Sequence, residues 1–192
     1  GYETTLYKSN LYSPDLLTTN SITCLVDDNN NNLWIGTSEG LNVMDKRTGE
    51  IKKYKAPSIS NNVVSALCVT RDNTLWVGTD NGLCRYVPEK DTFVVCGDEF
   101  GDGRLRYVTI KSLLEDSDGD LWIGTWAQGL FRYSPSTDKV VVYPKINEQY
   151  SSHVIYEDSN KDIWVGSWGY GLFKLRNPKD MENVSYQSFL HE

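Results

Sequence analysis

Apolar and polar residues alternate along this chain in short bursts. Ile22–Asp27 is followed by a polar run, Asp28-Asn29-Asn30-Asn31-Asn32, and then by Leu33–Ser38, Leu41–Asp45 and Ile51–Lys55, with Lys46-Arg47-Thr48-Gly49-Glu50 between the last two. These bursts suit half-buried strands, and the Asn, Asp and Gly around them supply turn conformations that β-branched residues resist. No window of 11 or more residues carries the helical period. The pattern predicts four short strands joined by tight turns.

That unit recurs. Leu33-Trp34-Ile35-Gly36-Thr37 returns as Leu75-Trp76-Val77-Gly78-Thr79, as Leu121-Trp122-Ile123-Gly124-Thr125 and as Ile163-Trp164-Val165-Gly166-Ser167, with Trp-to-Trp spacings of 42, 46 and 42 residues. A Gly-Leu pair follows each copy: Gly40-Leu41, Gly82-Leu83, Gly129-Leu130 and Gly171-Leu172. Four strands in a period of roughly 40–45 residues predict a propeller blade. The expected architecture is all-β: four four-stranded antiparallel blades, a segment of a larger propeller. The expected blades are 20–60, 61–104, 105–149 and 150–192, preceded over 1–19 by an outer strand of the preceding blade and a linker.

The repeated Trp34, Trp76, Trp122 and Trp164 are expected on second strands as wedges between blades. Burying roughly 150–250 Å² of ring is worth at most about 4–6 kcal/mol per copy. Gly36, Gly78, Gly124 and Gly166 then remove a side chain where a neighbouring backbone approaches. Thr4–Lys8 matches the position of an outer strand, yet Val184–Leu190 already serves the last blade. One outer strand too many suggests a piece of a longer array, whose remaining blades would be its natural partners. Its end faces could also pair two copies of the piece.

Composition narrows the chemistry. Twelve Tyr, six Trp and five Phe favour pleated surfaces. A net charge of −7 without a basic run gives nucleic acid or an anionic membrane nothing to bind. Cys24, Cys68, Cys84 and Cys96 form no CxxC pair and lie in strand-like segments, which favours buried thiols and leaves a disulfide open. No metal site and no cofactor is expected. Asp116-Ser117-Asp118-Gly119-Asp120 resembles a calcium loop, but Ala127 stands where the twelfth-position Glu would be, and Asp158–Asp162 is the same repeat turn again. With two His, a nucleophilic triad has little to build from; His153 begins an inner strand, where it could face the channel, and is expected instead as a solvated or core-edge residue. No catalytic site emerges.

The Leu-Trp-Ile-Gly-Thr-x-x-Gly-Leu unit resembles the two-component regulator propeller repeat, and the resemblance covers nearly the whole chain. It implies an extracytoplasmic, periplasmic sensor segment of a hybrid histidine kinase, as in gut Bacteroidetes. There such propellers precede a β-sandwich, a membrane helix and cytoplasmic kinase and receiver parts, and the ligands are often oligosaccharides. Other readings from different classes are part of a propeller enzyme, a glycan hydrolase or lyase, and a purely structural interaction module.

In an antiparallel blade the turn between strands two and three lies on the same side as the link to the next blade. Departures from the repeat gather there. Ser38-Glu39 and Asp80-Asn81 give way to the longer Trp126-Ala127-Gln128 and Trp168-Gly169-Tyr170, and the expanded Cys96–Arg106 link carries Asp98, Glu99, Asp102, Arg104 and Arg106. The expected binding residues are Trp126, Gln128, Trp168 and Tyr170 for stacking and contact, with Arg104 and Arg106 as partners suited to an acidic sugar. The competing reading makes Trp126 and Trp168 extra packing between blades.

Overall fold

The computed structural model describes residues 2–10, 16–143, 146 and 151–190. Those residues hold sixteen strands and no helix, sorted into four sheets whose strands pair antiparallel in chain order. The first sheet is β1 (Ile22–Asp27), β2 (Asn32–Thr37), β3 (Gly40–Asp45) and β4 (Ile51–Tyr54). The second is β5 (Val64–Val69), β6 (Leu75–Thr79), β7 (Gly82–Val87) and β8 (Thr92–Val95). The third is β9 (Ile110–Glu115), β10 (Leu121–Thr125), β11 (Leu130–Ser134) and β12 (Lys139–Tyr143). The fourth is β13 (Ser152–Glu157), β14 (Ile163–Ser167), β15 (Gly171–Arg176) and β16 (Ser185–Phe189). The inner strands β1, β5, β9 and β13 lie next to one another in that order.

The apolar cores sit between sheets. Trp34, Leu41 and Tyr54 of the first sheet pack against Val64, Val77 and Cys84 of the second. Trp76 and Leu83 join Leu121, Ile123, Phe131 and Tyr133 of the third, and Trp122, Leu130 and Tyr143 join Ile163, Val165, Phe173 and Leu175 of the fourth. Face-to-face packing of consecutive small sheets is blade architecture. Three motif tryptophans are buried within these cores. Trp34 lies 5.0 Å from the Tyr86 ring of the next blade, and Trp76 lies 5.5 Å from Tyr133. Trp164 is only half-buried, stacked on Phe189 of its own blade and capped by the Lys174 ammonium at 4.7 Å.

The glycine of the motif is explained by the inner strands of its own and the next blade. A Cβ on Gly78 would stand 2.5 Å from Ile110 Cγ2, and one on Gly124 would overlap Ser112 and the Ser152 carbonyl. At Gly166 the nearest atom, Val154 Cβ, is an ordinary 3.6 Å away.

A feature not foreseen from the sequence anchors three of the four wedges. The indole Nε1 of Trp34 donates to Asp28 Oδ2 at 2.9 Å, that of Trp122 to Asp116 at 2.8 Å, and that of Trp164 to Asp158 at 2.8 Å. The other oxygen of each carboxylate accepts from two backbone N–H groups of the first turn, for Asp116 those of Asp118 and Asp120 at 2.9 and 3.0 Å. One side chain thus closes the turn and orients the wedge. In the second blade Thr70 takes this place and turns to Asp72 and the Thr74 carbonyl. The third turn also holds an ammonium: Lys179 Nζ lies 2.9, 2.8 and 3.2 Å from Asp116, Asp118 and Asp120.

Thr4–Lys8, expected as an outer strand of a preceding blade, pairs with none of the four sheets. The four cysteines are free thiols, and burial pushes that of Cys68 up to about 11.

Candidate functional site

Every blade carries the same irregularity between its inner two strands. Ile22 pairs with Thr37 and Cys24 with Gly36, so Thr23 is left out of the ladder. Likewise Ser65 is skipped between Val64 and Ala66, Lys111 between Ile110 and Ser112, and His153 between Ser152 and Val154. A bulge residue is released from pairing and its side chain is re-aimed. Each of the four stands 11 residues before its motif Trp.

The turn after the motif faces these bulges. The residue opening it is held by its backbone N–H to the segment entering its own blade: Ser38 to the Ser21 carbonyl, Asp80 to Val63, Trp126 to Thr109 and Trp168 to Ser151, at 2.8–3.2 Å. Bulge and turn residues then interleave across the blades. Ser65 Oγ donates to Asp80 at 3.4 Å, Lys111 Nζ lies 3.0 Å from Asp80 Oδ1, and the same ammonium lies 6.0 Å from the Trp126 ring centroid. Next comes His153, 5.5 Å edge-on from Trp126 and 5.6 Å from Trp168. The result is one row, Ser65–Asp80–Lys111–Trp126–His153–Trp168, running over three blades.

The two indoles of the row are accessible, Trp126 at 46% and Trp168 at 70%, and Tyr170 is exposed beside Trp168. His153 is more deeply set than its neighbours. Its Nε2 is buried without a hydrogen-bond partner, and burial first, then the Lys111 charge, hold its pKa below the usual imidazole value. At neutral pH it is therefore an uncharged ring between two indoles. Gln128 works from behind: its Oε1 accepts from the Thr109 N–H at 2.7 Å, bracing the entry to β9.

The arginines stand apart from this row in their bonding. Arg104 pairs with Asp102 and donates to the Val140 carbonyl of β12, and Arg106 pairs with Asp98 at 2.6 Å. Their loop is a plug as well as a link, because Phe100 and Leu105 are buried in the core and Phe100 sits 5.2 Å from Trp76. Of the sequence-predicted residues, Trp126 and Trp168 are brought together through His153, Gln128 braces the entry to β9, Arg104 is held by Asp102 and the Val140 carbonyl, and Arg106 is held by Asp98. Ser65, Asp80, Lys111 and the position of His153 in the row were missed. The signal was there, as residues of differing chemistry at a constant offset from the four tryptophans.

The family model described as two component regulator propeller matches residues 16–39, 58–81, 104–127 and 146–169, half of the chain. The chain belongs to the two component regulator propeller family. Each matched window of this propeller runs from the segment entering a blade, through the bulge and the motif, to the turn residue of the row. No curated protein sequence matches the chain.

Among solved structures, the extracellular domain of BT4673 from B. thetaiotaomicron, described as a hybrid two component system, is 25% identical with a TM-score of 0.76, over 96% of this chain and 24% of that one. The corresponding domain of BT3049 from the same organism is 18% identical, with a TM-score of 0.76 over 98% and 24%. The virginiamycin B lyase of Staphylococcus aureus is 15% identical, with a TM-score of 0.64 over 88% and 56%, a likeness of fold. This propeller chain spans about a quarter of the length of the two extracellular domains.

Proposed function

We propose that this propeller segment senses a ligand for a hybrid two-component histidine kinase, in the periplasm, and that the ligand is a glycan-derived oligosaccharide met at the rim carrying Trp126, His153, Trp168 and Tyr170. The observation that carries this reading is the exposure of two indoles at equivalent places on neighbouring blades, held by the fold's own backbone bonds. A rigid aromatic face with polar neighbours is what the apolar face of a sugar ring stacks against. The family and the likeness to extracellular domains of hybrid two component systems support the sensor role. The half-buried Trp164 and exposed Leu172 and Phe189 give the last sheet an apolar side that suits a further blade of a longer parent chain. The same surface would let two copies of this chain pair through their end blades.

The test is titration calorimetry of the chain with a panel of oligosaccharides, repeated with Trp126→Ala and Trp168→Ala. At least one oligosaccharide is expected to bind, and each variant to lose about tenfold or more in affinity with its melting temperature kept within a few degrees. Unchanged affinity with lost stability would overturn the reading in favour of indoles that merely pack.

A further inference from the structure

We propose that the saccharide taken up at this rim is uncharged, and that Lys111 and Asp80 select it by gripping adjacent hydroxyls beside the Trp126 face. The inference rests on the ligand site proposed above and narrows its substrate class. It begins from charge. Lys111 is paired at 3.0 Å with Asp80, so the polar element next to Trp126 carries no net charge. Both partners keep part of their side chains in solvent, 22% for Lys111 and 35% for Asp80, and Ser65 adds a hydroxyl 3.4 Å from the same carboxylate.

An ammonium that only donates and a carboxylate that only accepts complement a pair of neighbouring hydroxyls, each of which does both. A uronate fits worse. To reach Lys111 its carboxylate would have to displace Asp80 or lie against it, and like charges at that distance repel. The groups that would welcome an acid are occupied or neutral: Arg104 holds Asp102, Arg106 holds Asp98, and His153 is uncharged at neutral pH. The chain as a whole carries −7.

Geometry explains why Lys111 serves this role. It is the bulge residue of its blade, so its side chain is not committed to a face of the sheet by ladder pairing and reaches back to Asp80 of the preceding blade. The selecting pair thus straddles two blades, while the stacking face belongs to the second of them.

The test compares neutral cello-, manno-, xylo- and galacto-oligosaccharides with oligogalacturonate by calorimetry on the chain, at about 0.05 M and about 0.5 M salt. A neutral saccharide is expected to bind with an affinity that moves less than about twofold with salt, while oligogalacturonate binds at least about tenfold more weakly. Asp80→Asn and Lys111→Met should each weaken the neutral ligand several-fold without loss of fold by circular dichroism. Tighter binding of the uronate, steep salt dependence, or stronger binding in Asp80→Asn would overturn the inference. If those results came with affinity still lost in Trp126→Ala, the ligand site itself would stand. Binding of no saccharide of either kind would overturn both readings.

Discussion

At the rim carrying the first turn of each blade, Asp28, Asp116 and Asp158 repeat one arrangement, an indole on one oxygen and two turn N–H groups on the other. At the opposite rim no two blades carry the same pair: Thr23 with Ser38, Ser65 with Asp80, Lys111 with Trp126, His153 with Trp168. The backbone there is nonetheless uniform, with the same bulge and the same turn-to-entry hydrogen bond in all four. The difference separates two demands on one sheet. The first rim orients the wedges that hold blades together, so its chemistry is fixed by packing. The second presents side chains released from the ladder, so its chemistry is open to whatever the surroundings offer.

The largest expected effect lies on the packing side. Trp122 is fully buried between the third and fourth blades, and Trp122→Ala should cost about 3–5 kcal/mol in urea unfolding. Trp164→Ala should cost clearly less, because its ring is half-buried. Equal losses would break the account of these rings as inter-blade wedges.

A smaller loss, about 2–3 kcal/mol, is expected for Asp116→Ala, which strands a buried indole N–H and two turn N–H groups. Asp118→Ala, on an exposed residue of the same turn, should fall well below it. If the two matched, the anchoring role of Asp116 would fail.

The smallest effect is a dependence on acid. The Trp164 indole, the largest cause, holds Asp158 down to about 2. For Asp28 and Asp116 burial alone would raise the pKa, but their hydrogen bonds outweigh it and the net direction is down. A carboxylate depressed in the folded state stabilises above its unfolded value and loses that contribution as pH falls through the folded value. Because the folded His153 resists a proton that its unfolded ring accepts, the urea midpoint should decline slightly as pH falls below about 6.5, and then drop more steeply between about pH 4 and about pH 2. Asp116→Asn should flatten that limb, whereas His153→Gln should leave it unchanged.

The blades were legible because a large ring and a small residue two places on recur at a fixed period, and because Asn, Asp and Gly mark the turns between bursts. Thr4–Lys8 was read as bordering a preceding blade, and it pairs with none of the four sheets described. The Cys96–Arg106 loop looked like a binding surface through its charges, yet its apolar members Phe100 and Leu105 turn inward to fill the core around Trp76. Half of the row escaped notice for a physical reason. Alternation assigns a residue to one face or the other, and a bulge belongs to neither, so Lys111 and His153 looked like ordinary members of inner strands. The indole anchors were hidden in the same way, since turn acids are common enough to need no second task.

The skipped position has a consequence for how such arrays diversify. A substitution there alters what the propeller displays while leaving every ladder bond and every wedge in place, so recognition can change one blade at a time on a scaffold that never has to be rebuilt. Thr23 and Ser38 hold the same address in the first blade that Lys111 and Trp126 hold in the third, and there the Thr23 hydroxyl donates to the Val64 carbonyl of the next blade.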